Sequence, residues 1–401
     1  MKYVIAGSGI AGTSAAARLR ALDPEGTIDI LTDEPYPAYS RPLLPEFIAG
    51  AVEEGNIILH PLSWYEERGI TLHLEERVQE VRPAAREVRS TRGTTYPYDR
   101  LLLSVGARPF MPPVEGMEGK EGIFTLRSIG DARVIKGYAA RCQRALLVGG
   151  GLLGLEAGNG LRRAGLEVSV VETFPRLLPR QVDTDGAAIL QRLLEQMGFQ
   201  FYLEEQCREV LGQGHVEGVR LSSGRTVEAD MLLVSAGVRS DLRLAQEAGL
   251  DTEKGVIVDD RMETSIATIF AAGDVAQHRG VCYGIWPAAQ RQGEVAGTSM
   301  AGGTDVYEGT VPTNTLKVLG IDLVSAGDID AEGVHECQVA ADPVKGVYRK
   351  LVFDGNTLIG CILLGDVRGR WELMNAIETR RDIGPVKSDL RGDGFDFARL
   401  R

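Results

Sequence analysis

Two glycine-rich loops of one kind fix most of what this chain can fold into. The first, Gly7-Ser8-Gly9-Ile10-Ala11-Gly12, follows Lys2-Tyr3-Val4-Ile5-Ala6. The second, Gly149-Gly150-Gly151-Leu152-Leu153-Gly154, follows Ala145-Leu146-Leu147-Val148. Each preceding run is short and apolar, as a strand buried on both faces must be. Each loop opens a helix-favouring stretch, Thr13 to Leu22 and Leu155 to Ala164. Strand, glycine turn and helix in this order make a dinucleotide site. The first glycine permits the tight turn, the second lets backbone approach a pyrophosphate, and the third lets helix pack on strand. The helix N-terminus then offers free N–H groups and a partial positive charge to the phosphates. Two such sites in one chain imply two dinucleotides, and so electron transfer between them.

The acids that follow each loop refine this. After the first, the strand Thr27 to Leu31 runs into Thr32-Asp33-Glu34. A carboxylate about 20 residues beyond the glycines accepts hydrogen bonds from ribose hydroxyls. Glu34 is favoured for this and Asp33 is the alternative. After the second, the strand Glu167 to Val171 ends at Glu172, which favours an unphosphorylated ribose and hence NADH over NADPH. Arg176 close by weakens that preference.

The rest of the chain organises around these units. The proline-rich Pro35 to Pro45 reads as an ordered loop rather than a helix or central strand. Two apolar runs, Leu101 to Ser104 and Met231 to Val234, end in glycine at Gly106 and Gly237 and read as crossovers. Ser128 to Asp131 reads as a capping box before a helix from Ala132. Thr268 to Ala271 reads as a buried strand ending in Gly273-Asp274, at the carboxyl end where open α/β sheets bind ligands. A helix follows from Trp286 to Met300. Beyond Tyr307 the pattern becomes α+β: strands Leu316 to Leu319, Val347 to Phe353 and Thr357 to Leu364, a hairpin at Asp354-Gly355, a helix from Arg370 to Thr379, and a mobile last dozen residues. The expected fold is α/β, with one Rossmann-like domain (110–239) inserted in another (1–109 and 240–308) and a C-terminal α+β domain (309–401).

The 401 residues carry 44 basic and 56 acidic side chains, a net charge of −12. That balance disfavours non-specific nucleic-acid binding and docking on an anionic membrane. No apolar run approaches the roughly 20 residues that span a bilayer. Cys142, Cys207, Cys282, Cys337 and Cys361 are odd in number and widely spaced. They suit neither a disulfide framework nor a zinc site, so no metal is expected and a reducing, cytoplasmic setting is.

Taken together, both glycine loops, the crossovers Ser104-Val105-Gly106-Ala107 and Ser235-Ala236-Gly237-Val238, and Ala272-Gly273-Asp274 resemble the pyridine nucleotide–disulfide oxidoreductases over nearly the whole chain. The resemblance implies FAD at the first loop, NAD(P)H at the second, Asp274 on the flavin's ribityl or phosphate region, and a C-terminal interface domain. It extends the FAD and nicotinamide set to Pro42, Val78, Gly106, Gly237 and Gly273. Tyr39-Ser40-Arg41-Pro42-Leu43-Leu44-Pro45-Glu46 is most similar to NADH:rubredoxin oxidoreductases and the flavin module of assimilatory nitrite reductases. Disulfide reductases of this fold carry a reactive cysteine in this segment, whereas residues 35–60 here contain none. Related dioxygenase reductases place a lysine where this chain has Glu46.

By the same resemblance Glu156 points toward the nicotinamide–flavin junction; a surface glutamate is the other reading. Arg41 neutralises the FAD pyrophosphate or forms a loop ion pair. Trp286 packs beside the isoalloxazine or within the core. The implied activity is an FAD-dependent NADH oxidoreductase that passes electrons to rubredoxin or ferredoxin without a redox-active cysteine. The alternatives are an NADH oxidase using oxygen directly and a non-catalytic NADH-sensing flavoprotein. A local basic patch (Arg368, Arg370, Arg380, Arg381) would suit an acidic carrier, and homodimer formation is left open.

Overall fold

The structure, a computed structural model, describes residues 1–318, 320–392 and 394–401, with no account of the side chains of residues 316–318. The chain clusters into two compact units. The first comprises Met1–Arg41, Glu53–Arg108 and Val238–Thr310; the second comprises Pro42–Val52, Pro109–Gly237 and Val311–Arg401.

In the first unit a parallel five-stranded sheet has the order Ile269–Ala271, Arg100–Leu103, Lys2–Ala6, Thr27–Leu31, Ile70–His73. Tyr3, Val4, Ile5 and Ala6 are all buried, as a central strand covered on both faces requires. The loop helix Ile10–Leu22 turns Ala11, Ala15, Ala16 and Leu19 inward and packs on the helix Trp286–Met300.

The second unit holds another all-parallel sheet, ordered Phe199–Leu203, Glu167–Glu172, Arg144–Val148, Met231–Val234, Ile123–Thr125. In both sheets the strand before the glycine loop is central and is flanked by the next strand and by the crossover strand. The same unit contains an antiparallel sheet ordered Thr313–Val318, Ile321–Gly327, Thr357–Leu364, Val347–Asp354, Glu336–Asp342. The helix Arg370–Glu378 packs on it through Leu373, Ala376 and Ile377. Asp183, the N-cap of Thr184–Gln196, ties the inserted α/β layer to this sheet: its Oδ2 accepts from the Tyr348 hydroxyl at 2.7 Å and faces the Lys350 ammonium at 3.2 Å.

Most expected elements are present, with five differences. Both loop helices begin three residues early, at Ile10 and Leu152, because the third glycine of each loop lies inside the first turn. The proline-rich loop ends sooner than Pro45: Leu44–Ile48 is a short helix, and proline is tolerated in a first turn whose N–H groups have no intrahelical acceptor. The capping box forms, but the helix starts at Ile129 directly after Ser128. The last dozen residues pack rather than trail, since Leu390 and Leu400 insert into the C-terminal core. The strand expected at Leu316 to Leu319 is Thr313–Val318, and Leu319 lies outside the described residues.

Candidate cofactor-binding sites

The two glycine loops share one geometry residue for residue. Gly7 and Gly149 have φ of +106° and +112°, a backbone region costly for any side chain. A Cβ on either would also overlap a crossover carbonyl, that of Ser104 or Ser235. Those serines are fixed there because Ser104 N donates to Ala6 O and Ser235 N to Val148 O, both at 2.8 Å. A Cβ on Gly12 or Gly154 would run into the carbonyl of Gly7 or Gly149. Gly9 and Gly151 differ: a Cβ there would meet nothing. Each is the N-cap of its helix, without a side-chain cap and with no acid in the first turn. Both loops therefore leave first-turn helix N–H groups beside open space, the arrangement by which a helix N-terminus can take a phosphate. Ile10, Ala11, Leu152 and Leu153 supply those first-turn amides.

Around the first loop the structure gathers three of the expected side chains. The Arg41 guanidinium donates to Glu34 Oε1 at 3.0 Å, and the Tyr39 hydroxyl donates to Glu34 Oε2 at 2.6 Å. Burial pulls the Arg41 guanidinium down, but Tyr39, Glu34 and Asp274 outweigh it and hold its pKa above the ordinary value. Arg41 thus has a loop ion pair, and Asp33 beside it is exposed. Gly106 and Gly273 have φ of +76° and +82°. The loop Gly273-Asp274 is pinned from outside: Gly273 N donates to Gln292 Oε1 at 2.9 Å and the Ser240 hydroxyl to Asp274 O at 2.7 Å. Trp286 is partly buried in the first turn of its helix. Val78 is fully buried in the core and offers no side chain to a ligand. Pro42 is exposed at the start of the second unit.

Around the second loop, Glu172 is buried and holds the backbone. Its Oε2 accepts from Gly150 N at 2.7 Å and its Oε1 from Phe174 N at 3.0 Å. Arg176 spends its guanidinium on the carbonyls of Val182 and Pro179, at 3.3 and 3.2 Å, within its own loop. Gly237 ends the crossover at φ +93°. Glu156 follows Gly154 on the loop helix, and the helix Leu44–Ile48 packs against that helix, bringing Glu46 into play. Arg163 Nη1 holds Glu46 Oε2 at 3.0 Å. Burial, and then the charge of Glu46, raise the Glu156 carboxyl from 4.5 to about 7.

Sequence reading missed Tyr39, Ser240, Gln292 and Arg163. Only Arg163 left a signal, since it lies two helical turns from Glu156 on one face. All five cysteines are unpaired, and burial pushes every thiol up, to about 12 at Cys207 and Cys361 and about 11 at Cys337. Protonated thiols are poor nucleophiles.

The raised Glu156 carboxyl makes stability depend on pH. Unfolded, it loses its proton near 4.5; folded, it keeps it to about 7. Between those values the folded state binds more protons, so stability falls as pH rises through the window and stays lower above it. At 1.36 kcal/mol per pH unit and with allowance for partial solvation, the loss is about 2 kcal/mol. Urea unfolding of wild type and Glu156→Gln at pH 5 and pH 8 should show this slope in the wild type and a flatter one in the variant. Equal slopes would remove Glu156 as its source.

Comparison with known proteins agrees with this geometry. The pyridine nucleotide-disulphide oxidoreductase family model matches residues 1–293, and the rubredoxin NAD+ reductase C-terminal domain model matches residues 312–381. A nitrite reductase [NAD(P)H] of Bacillus subtilis is 36% identical over 384 residues, 95% of this chain but 48% of that protein, so the chain spans about half its length. An NADH oxidase of Methanocaldococcus jannaschii is 34% identical over 348 residues, 83% of this chain and 75% of that protein. The solved NADH:rubredoxin oxidoreductase of Clostridium acetobutylicum superposes with a TM-score of 0.81 at 27% identity, covering 97% of this chain and 99% of that one. Among the described residues no helix is long and apolar enough to cross a membrane. By its two glycine loops and by these matches, the chain belongs to the pyridine nucleotide-disulphide oxidoreductase family, oxidoreductases that work with FAD and NADH.

Proposed function

We propose that this chain is an FAD-dependent NADH oxidoreductase that delivers electrons to a small one-electron carrier, rubredoxin or ferredoxin, without a cysteine relay. The observation that carries this reading is the duplicated loop, open at Gly9 and at Gly151 where a phosphate needs backbone access. FAD is assigned to the first loop, with Glu34 on the ribose, Arg41 and the first-turn amides on the pyrophosphate, Asp274 on the ribityl chain, the backbone of Val78, Gly106 and Gly273 along it, and Trp286 completing the site. NADH is assigned to the second loop, with Glu172 on the ribose and Gly237 beside it. Arg176, committed to its own loop, is not placed to draw a 2′-phosphate, which favours NADH. Bound at these loops, the cofactors supply hydride transfer and one-electron release.

The protein's part is position. Glycine turns packed against the crossover carbonyls, their amides held by Leu31 O and Val171 O, hold each dinucleotide by its phosphates, and orientation of this kind is worth roughly 7–11 kcal/mol. Glu156 and Glu46 hold charge and protons near the nicotinamide end. The absence of cysteine from residues 35–60, and protonated thiols elsewhere, support a route without sulfur.

Anaerobic addition of NADH should bleach the flavin at a rate fast on the turnover timescale yet resolved by stopped flow, and rubredoxin or ferredoxin should restore its colour faster than oxygen does. Faster recovery with oxygen would make the protein an oxidase instead. Slow bleaching with a persistent charge-transfer band would make it a sensor. Asp274→Ala should purify with less than half the flavin of the wild type; full 450 nm absorbance in the variant would remove Asp274 from the FAD site.

A further inference from the structure

We propose that Arg163 is a positioning residue: by pairing with Glu46 it decides how readily Glu156 gives up its proton, and so sets the pH at which NADH is used best. The inference deepens the proposed function and rests on its placement of NADH at the second loop.

The argument begins with how closely two helices meet. A Cβ on Gly160 would press on the Pro45 carbonyl oxygen, so only glycine at 160 lets the Leu44–Ile48 helix lie this close to the loop helix. Glu46 is thereby carried onto the helix face that also bears Glu156 and Arg163, residues i and i+7. Two carboxylates brought together repel, and one of them must then be neutralised or keep its proton. Arg163 takes Glu46, at 3.0 Å. Glu156, which has no cation against it among the described residues, keeps its proton first because it is buried and then because of the Glu46 charge.

Other charges do not intrude. Among the described side chains, the strands packed on the loop helix carry Arg144, Glu167 and Glu172. Arg144 is held by Glu228 and Asp230, Glu172 by backbone amides, and Glu167 is exposed. Arg162 donates to Met197 O, and Lys136 lies over the Phe47 ring at 4.8 Å. Among the described residues, Glu46 is the one charge that acts on Glu156.

The consequence for the reaction has a sign. A hydride leaving NADH carries two electrons to the flavin and leaves a positive charge on the nicotinamide ring. A Glu156 carboxylate favours that charge and a neutral carboxyl does not. Reduction should therefore speed up as pH rises through the Glu156 titration, with no proton passing from Glu156 to either partner.

The test uses the full-length holoenzyme with 13C-labelled glutamate, following the Glu156 carboxyl (assigned by its loss in Glu156→Gln) alongside the pH profile of anaerobic flavin bleaching. Glu46→Gln should lower the Glu156 midpoint by roughly one pH unit, and Arg163→Met should raise it by a similar amount. Arg163→Lys, which keeps the cation, should restore it. The bleaching profile should move with the carboxyl in every variant. A midpoint unmoved by Glu46→Gln and Arg163→Met overturns the ion-pair argument while leaving the proposed function standing. A midpoint that moves under a flat bleaching profile overturns instead the placement of NADH beside Glu156, and this inference with it.

Discussion

Asp183→Ala is expected to cost the second unit about 3–5 kcal/mol of stability, read as a lower urea midpoint. One carboxylate serves three donors. It accepts from Gly186 N at 3.0 Å as the cap of Thr184–Gln196, from the Tyr348 hydroxyl at 2.7 Å, and it faces the Lys350 ammonium at 3.2 Å. Lys350 is only 6% exposed and Tyr348 1%. With Asp183 gone, Lys350 keeps the Asp330 carbonyl at 3.0 Å and the less direct attraction of the Asp330 carboxylate, and a buried ammonium that has lost its paired carboxylate is the costly outcome. The loss of the helix cap adds about 1 kcal/mol. Burial, the larger cause of the raised Tyr348 hydroxyl pKa, persists without Asp183, so no phenolate takes over as the counter-charge near neutral pH. The mechanism has its own control. Asp183→Ala combined with Lys350→Met removes both charges and should recover more than half of the loss, because a buried pair replaced by apolar groups of similar volume is close to neutral. A double variant as unstable as the single one would show that the cap, not the ion pair, carries the effect.

The loops were legible because their chemistry is local. Each glycine's duty follows from the strand before it and the helix after it, so the spacing of Gly7, Gly9 and Gly12 and of Gly149, Gly151 and Gly154 sufficed. The capping box at Ser128 and the sheet strands were legible for the same reason. What escaped is contact between segments far apart in the chain. Nothing near Glu34 announces that Tyr39 and Arg41 both fold back onto it, because that depends on the path of a proline-rich turn. Nothing near Asp183 announces Lys350, 167 positions away, since the pair exists only once a β-sheet from the C-terminal region docks on the inserted layer. The tail misled for a related reason: its glycines read as loose, while the burial of Leu390 and Leu400 depends on a core built elsewhere.

Glu172→Ala should raise the KM for NADH about 100-fold while leaving the flavin in place. The size follows from what Glu172 holds. Its two oxygens take the Gly150 and Phe174 amides, at 2.7 and 3.0 Å, in a buried pocket. Each amide left unsatisfied costs about 1–3 kcal/mol, and the loop that presents Gly151 loses its brace. A loss of about 2.7 kcal/mol in binding is a hundredfold. This geometry also alters the result expected of the charge-reversed variant. From the sequence, Glu172→Arg would shift preference toward NADPH by attracting a 2′-phosphate. In the folded chain the new guanidinium would replace an acceptor of two backbone N–H groups with a donor, inside a buried site. NADH use should therefore collapse without a compensating gain of NADPH use. Glu172→Gln separates the two roles: its carbonyl oxygen can still accept from one amide, so the loop should hold, while the charge that disfavours a 2′-phosphate is gone. It should retain NADH binding within about tenfold of wild type and narrow the NADH-to-NADPH ratio of kcat/KM. Should Glu172→Arg instead use NADPH well, the brace would be dispensable and Glu172 would act only through its charge toward the ribose.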